Sequence, residues 1–439
     1  MALEERDFDV IVVGGGCAGT VAAYVAAKKG KSVLLIERGE HPGAKNMTGG
    51  RLYAHSLRRL LDTYADGEVA WDEIPFERKI THERIALMDP SSNFTIDFTS
   101  KELGIEGHDS YSVLRSRFDQ WLADLAEAAG AEIISGIPVE TLLRREDGVV
   151  YGVRAGDDEI TAQVVIDAEG TNSLLAERCL GIPRLAPNQV AVGIKHVWEL
   201  PAEQIEDRFL LPEGEGAAML YVGDCTHGVV GGGFVYTNKD TISLGLVATI
   251  SDLQKSETTI YQALDDFEKH PAVAPLIRGA QLVEHSGHLV PEAGFDSVPP
   301  YIFDGAVLAG DTMRLVMNLG YQVRGMDFAI ASGQFAAEAA CDAIDRGDVS
   351  AAGLEDYRTK LEESFALADL KTFRKWPHVM ETWKRLFTEY PTMVASIFNA
   401  LFVVDGKPQA KLVKRLWPIV RGMKPLKLVH EVVRALVAL

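Results

Sequence analysis

Apolar and polar positions along the first forty residues fall into three blocks. Residues 8–13 (FDVIVV) form a β-branched apolar run, the pattern of a strand buried on both faces in a parallel sheet. A glycine-rich break, GGGCAG, interrupts it. Small and apolar residues then continue over 18–29 as a predicted helix, with Gly30 placed to cap its end. Residues 33–36 are a second apolar strand, closed by Glu37. The loop after it, GEHPGAKNMTGG, is built largely from small and turn-forming residues.

The periodicity changes further along. From Arg117 an amphipathic helix places Phe118, Trp121, Leu122 and Leu125 on one face. A strand at 132–135, a short PVE segment, a hairpin around Asp147-Gly148 and a strand at 164–168 ending in Glu169-Gly170 follow. The stretches AVGIKHVWEL, AAMLYVGD, HGVVGGGFVYTNKDTISLGLVATI and AQLVEHSGHLVP alternate as antiparallel strands do. A further strand at 306–309 runs into Gly310-Asp311, then a long loop and a helix over about 325–344. The 439 residues are too many for one typical domain, and two or three are expected.

Composition narrows the function classes. With 47% apolar residues the chain can build a real core. A net charge of −19 argues against nucleic acid as a partner. Cys17, Cys179, Cys225 and Cys341 lie far apart with no CxxC pair, so neither an iron–sulfur cluster, a cysteine-based zinc site nor a disulfide framework is expected, in keeping with a reducing cytoplasm. His196, His227, His285 and His288 show no metal-ligand spacing, and no metal is expected. The acidic start MALEERDFDV does not read as a signal peptide, and no apolar stretch reaches the roughly 20 residues of a membrane span. The end differs: residues 411–439 carry seven Lys or Arg against one acid, with Trp417 among apolar positions. Such a tail fits an anionic lipid surface or an acidic protein partner, or else an amphipathic helix packed on the body.

The glycine break carries the first chemistry. Gly14, Gly16 and Gly19 form GxGxxG between a strand and a helix. The first allows the tight turn, the second lets backbone approach a pyrophosphate, and the third lets the helix pack close to the strand. The helix start at Cys17-Ala18 would turn its positive end to the phosphates. Glu37, at the second strand end, is placed for ribose hydroxyls; with no arginine-rich end there, NADP is disfavoured. Spacing alone leaves NAD and FAD both open.

The segments VVGGGCAG, IERGEHPGAKNMTGGRLY, LRSRFDQWLA, VVIDAEG and LAGDTMRLVMNLGYQVRGMDFAIASGQFAAEA, over about residues 8–340, resemble the FixC branch of the electron transfer flavoprotein–quinone oxidoreductase family. They are also similar to the geranylgeranyl reductases. The resemblance implies an α/β chain: a discontinuous glutathione-reductase-type, Rossmann-like FAD-binding domain (1–79, 111–179 and 301–345), an antiparallel β-rich substrate or quinone domain (80–110 and 180–300) and a helical C-terminal region (346–439). It implies FAD as cofactor, with Asp311 on the ribitol hydroxyls and the N–H groups of Gly325 and Met326 at the flavin edge. Residues 43–50 would lie across the flavin ring, where bulk is excluded. Ala44, Gly49 and Gly50 are cofactor contacts on that ground, and Lys45 is a candidate for phosphate or flavin contact, with a solvated lysine as the alternative. Arg38 and Val139 join the expected contacts. Arg117 is a candidate for the flavin or its phosphates, again with a solvated side chain as the alternative. Tyr321 and Arg324 could face the quinone. Cys17 stands where the family usually has proline, and Thr312-Met313 where small residues are common.

By the same resemblance the chain passes electrons from electron transfer flavoprotein subunits to a quinone. It would work in a FixABCX-type complex beside a small ferredoxin-like iron–sulfur subunit, since the cluster-binding cysteines of single-chain relatives are missing. Some such complexes bifurcate electrons, in the flavoprotein partner. A cytoplasmic location in peripheral contact with the inner face of the cell membrane is expected. The alternative is an enzyme that saturates isoprenoid double bonds.

Overall fold

The computed structural model describes residues 4–46 and 50–439. The apolar run Phe8–Val13 is a strand (β1), followed by the helix Cys17–Lys28 (α1) and the strand Val33–Glu37 (β2). The helix Arg115–Ala128 (α2), the strands Glu132–Ser135 (β3), Asp158–Asp167 (β4) and Ala306–Leu308 (β5), and the helix Met326–Arg346 (α3) complete the unit. The strands lie in the order β5, β4, β1, β2, β3, each pair parallel. Segments far apart in sequence therefore share one sheet, and the carboxyl ends of β1, β2 and β4 open on the same edge, the usual ligand edge of such sheets.

Close helix packing holds this unit together. A Cβ added at Gly333 of α3 would lie 2.2 Å from the carbonyl oxygen of Ala18, so the two backbones touch there. The alanines Ala22, Ala23 and Ala26 of α1 and Ala336, Ala337 and Ala340 of α3 are buried in the same cluster. Small side chains let the axes approach, and the apolar area removed from water contributes about 25 cal/mol per Å². Between β3 and β4 the strands Val139–Arg144 and Val150–Ala155 form an antiparallel meander onto β4.

A second sheet of nine strands stands beside the first, and its members include Lys79–Met88, Val190–Glu199, Glu215–Gly223, Gly231–Thr237, Thr241–Thr249 and Gln281–Pro291. It departs from the antiparallel expectation at one place: Glu215–Gly223 pairs with Lys79–Met88 in parallel. A parallel pair needs a long crossover, and here residues 89–214, with α2, β3 and β4 among them, supply it. Alternation alone cannot reveal this, since side chains point up and down equally in both ladder types.

The C-terminal region is helical. The helix Arg385–Phe402 packs on the second sheet, with Phe398 stacked on Phe94 at 4.7 Å. The basic tail forms the helices Leu412–Gly422 and Pro425–Ala438. The last is tied down by Glu431, which accepts from Arg385 Nη1 at 3.0 Å and from the Tyr390 hydroxyl. Its outer face stays open: Leu426 is 87% exposed, Leu436 69%, and Trp417 of the helix before it 57%. Among the described residues no helix is long and apolar enough to cross a membrane.

Candidate functional site

The glycine turn between β1 and α1 opens on an elongated cavity of about 270 Å³ that reaches from the carboxyl edge of the first sheet into the second. The three glycines of GxGxxG stand there for different reasons. Gly14 has φ +101°, and a Cβ on it would lie 2.4 Å from the Ala168 carbonyl oxygen. A Cβ on Gly19 would lie 1.9 Å from the Gly14 carbonyl oxygen. The protein's own packing excludes a side chain at both. At Gly16 a Cβ would meet nothing closer than Asn46 Nδ2 at 3.4 Å, with Arg115 Nη2 at 3.8 Å. The protein's own packing leaves room at Gly16, which faces the cavity beside the N-terminus of α1, where backbone N–H groups and the helix dipole favour an anion.

Glu37 fixes the next contact. Its carboxylate is buried, and it accepts from Gly15 N at 2.6 Å and from Gly39 N at 2.5 Å. Both backbone donors hold it against the glycine turn with the carboxylate in the cavity wall. Lone pairs remain for hydroxyls, since a carboxylate offers about four acceptor positions.

A buried knot centred on Asp119 ties three elements together. Asp119 of α2 accepts from Arg115 Nε and Nη2, both at 2.7 Å, from Asn46 Nδ2 at 2.5 Å, and from the Cys17 thiol at 3.3 Å. Proline at position 17 could not make the last bond. The knot sets the Arg115 guanidinium beside the glycine turn, where an anion would lie. Its charge also opposes the burial that raises the Asp311 carboxyl to about 6. Burial likewise raises Glu169, at the end of the β4 edge, to about 7, and pushes the adjacent, fully buried Asp167 up.

The expected residues divide cleanly. Gly14, Gly16, Cys17, Ala18, Glu37, Arg38, Lys45, Gly50, Asp311, Gly325 and Met326 all line the cavity. Gly325 caps α3, whose N-terminus faces inward. Gly50 is confined by Tyr236, whose ring a Cβ would meet at 2.1 Å. Gly19 sits one layer behind, as packing. Gly49 lies outside the described residues. Three further expected residues do not line the cavity. Arg117 points away and donates to Glu77 at 3.2 Å; two residues along a helix turn a side chain by about 200°, so Arg115 faces the cavity instead. Val139 lies in the meander, packed against the apolar cluster that includes Ile11, Leu34 and Val153. Ala44 is exposed. Arg324 lines the cavity while Tyr321 does not. Thr312 and Met313 are buried behind the wall, where Thr312 Oγ1 accepts from Gly170 N at 2.9 Å and Met313 receives the Tyr357 hydroxyl. The i,i+4 spacing of Arg115 and Asp119 was the signal for the residue that was missed.

The far part of the cavity is walled by Leu220, Tyr221, Val222, Gly231 to Gly233 and Phe234 of the second sheet. His288, Glu292 and Arg324 also line the cavity. Among the described residues no group of three His, Cys, Asp or Glu could hold a metal ion. The space at Gly16, the tethered Glu37 and the inward N-termini of α1 and α3 fit a flavin dinucleotide.

Comparisons with known proteins agree. The model for FAD dependent oxidoreductases matches residues 9–178, that for the ubiquinone-binding part of ETF-QO matches 190–290, and that for the C-terminal domain of the ETF-QO/FixC family matches 376–439. A protein of Escherichia coli K12 named "Probable electron transfer flavoprotein-quinone oxidoreductase YdiS" is 45% identical over 437 residues, covering 100% of both chains. "Protein FixC" of Salmonella typhi is 47% identical over 94% of this chain and 95% of its own, and that of Bradyrhizobium diazoefficiens 38% over 93% of each. Among solved structures, a geranylgeranyl bacteriochlorophyll reductase-like protein of Thermoplasma acidophilum superposes with a TM-score of 0.70 at 23% identity, covering 95% of this chain and 99% of that one. The halogenase PltM in complex with phloroglucinol and FAD gives 0.65 at 17% identity, covering 90% and 80%. These two likenesses speak for the fold. The whole-length identity decides the family: this chain belongs to the FixC branch of the electron transfer flavoprotein–quinone oxidoreductases, and it is an FAD-dependent oxidoreductase.

Proposed function

We propose that this chain takes electrons from an electron transfer flavoprotein and passes them, by way of FAD, to a quinone. The observation that carries the reading is the continuity of the cavity. It begins at the glycine turn and Glu37 and ends among Leu220, Val222 and Gly231 to Gly233, within the stretch that matches the ubiquinone-binding model. An apolar planar acceptor entering there meets the inner end of the flavin site. Gly16, Glu37, Lys45, Arg115, Asp311 and the backbone N–H groups at Gly325 and Met326 would hold the cofactor. FAD supplies the redox chemistry; the chain's residues bind it, orient it and line the approach of the acceptor. The proposal extends to a FixABCX-type complex with a separate ferredoxin-like subunit, in which bifurcation belongs to the flavoprotein partner. The exposed apolar face of the basic tail supports contact with an anionic membrane surface. The test is reduction of a short-chain quinone by the purified holo-chain supplied with reduced electron transfer flavoprotein. Failure of quinone to reoxidise the flavin, with saturation of an isoprenoid double bond instead, overturns the reading.

A further inference from the structure

A side chamber of about 60 Å³ opens off the far part of the main cavity. Glu292, Gly231, Val316, Asn318 and Met380 line both spaces and mark the junction. Leu370, Phe373 and Trp376 form the walls of the chamber. At its other end the exposed Asn188 donates Nδ2 to Glu381 Oε1 at 3.2 Å, a polar mouth toward solvent. A water molecule needs about 10–15 Å³ in this measure, so the chamber has room for a short file of waters and none for a quinone ring.

Two polar groups line it with few or long protein contacts. The Trp376 indole N–H is buried and has no protein acceptor. Water in the chamber would satisfy it. Glu292 has only long contacts, from the Thr249 hydroxyl at 3.4 Å and the Asn318 amide at 3.3 Å, and burial pushes its carboxyl up. Among the described residues no cation pairs with it; the ionisable groups sharing its cavities include Glu381 at the outer mouth and His288, Asp311 and Arg324 in the main cavity. A carboxyl whose proton affinity is raised by burial, at the meeting point of a water-sized channel and an acceptor site, is placed like a proton donor.

We infer that Glu292 hands protons to the electron acceptor in the main cavity and draws them from solvent through the side chamber. The inference rests on the quinone reading above. Reducing a quinone to a quinol takes two electrons, which the electron transfer flavoprotein supplies by way of the cofactor, and two protons. Each proton forms an O–H bond on a quinone oxygen as the O–H bond of Glu292 breaks. The carboxylate left behind takes its next proton from chamber water, so solvent is the source of both.

The test uses the holoenzyme with two acceptors: a water-soluble short-chain quinone, and ferricenium, whose one-electron reduction takes up no proton. Glu292→Gln should lower the ratio of quinone to ferricenium rates on the order of a hundred-fold, the scale of a lost general acid. Glu292→Asp should restore it to within a few-fold, and flavin absorbance should report intact cofactor in both. Trp376→Phe, which keeps an aromatic wall and removes the donor, should lower the ratio several-fold. Equal loss with both acceptors makes Glu292 structural and overturns the inference. So does an unchanged ratio in Glu292→Gln, and an unchanged ratio in Trp376→Phe removes the chamber as the route. Wild-type protein that reduces ferricenium but no quinone would instead sink the functional reading.

Discussion

Alanine at Gly16 and alanine at Gly19 should separate ligand demands from fold demands within one motif. At Gly19 the new Cβ would sit 1.9 Å from a backbone oxygen, so β1 and α1 must move apart. Overpacking of that kind costs about 1–3 kcal/mol, and the apoprotein should lose that much. At Gly16 the nearest atom is 3.4 Å away, an ordinary contact, and φ is −86° with extended backbone. The lower chain entropy of alanine adds about 0.4–1 kcal/mol of stability, while Gly16 also caps α1, and alanine is a poorer cap by a comparable amount. The two offset, so apoprotein stability should stay within about 1 kcal/mol of wild type. The holoprotein should differ sharply. A methyl group on the cavity wall pushes the pyrophosphate off the α1 N-terminus, forfeiting a dipole interaction of up to about 2 kcal/mol before any clash is counted. That term alone corresponds to up to a roughly thirty-fold weaker affinity. Fluorescence titration of apoprotein with FAD measures the affinity, and denaturant unfolding of the apoprotein measures stability. Wild-type affinity in Gly16→Ala would refute the placement of the phosphates, and apoprotein loss equal to that of Gly19→Ala would refute the claim that Gly16 is free of packing constraint.

Glu37→Gln should weaken FAD binding about ten- to a hundred-fold in the same titration, because charge-assisted hydrogen bonds contribute about 1.5–3 kcal/mol. Burial holds the Asp311 carboxyl at about 6 in the folded apoprotein, above its unfolded value, so its contribution to stability is full below about pH 4 and is lost as pH rises through 6. Asp311→Asn should therefore gain on wild type by roughly 3 kcal/mol between pH 4 and pH 7, and a flat difference in apoprotein melting across that range would count against it. Removing residues 407–439 should release the protein from anionic vesicles in a salt-sensitive sedimentation assay and leave FAD occupancy intact; loss of flavin would make the tail part of the cofactor-binding core. Deletion also strips Glu431 from the buried Arg385, so thermal stability should drop. NADH should reduce the isolated chain slowly in stopped flow, because the one dinucleotide fingerprint is taken by FAD.

Local order dictates local chemistry in this chain, and that part was legible in the sequence alone. The run FDVIVV, the spacing of Gly14, Gly16 and Gly19, and Glu37 at the next strand end are set within thirty residues, where strand, turn and helix propensities agree. The amphipathic face with Phe118 and Leu122 was equally plain, because helical periodicity needs no partner to be read. Which arginine turns inward was not: Arg115 and Arg117 open the same helix, and only the packing of Asp119 against Cys17 and Asn46 selects Arg115. The parallel pairing of Glu215–Gly223 with Lys79–Met88 also escaped a pattern that looks the same in either direction. Glu292 is the clearest case. In sequence it is an acid after a strand, without a motif. Its exposure to two cavities comes from β5-side loops, the second sheet and the C-terminal helices meeting around it, and its raised carboxyl comes from burial among them. Contacts between residues close in sequence follow from propensity and periodicity, whereas the electrostatics of a side chain depend on everything folded around it, and that is decided only by the tertiary structure.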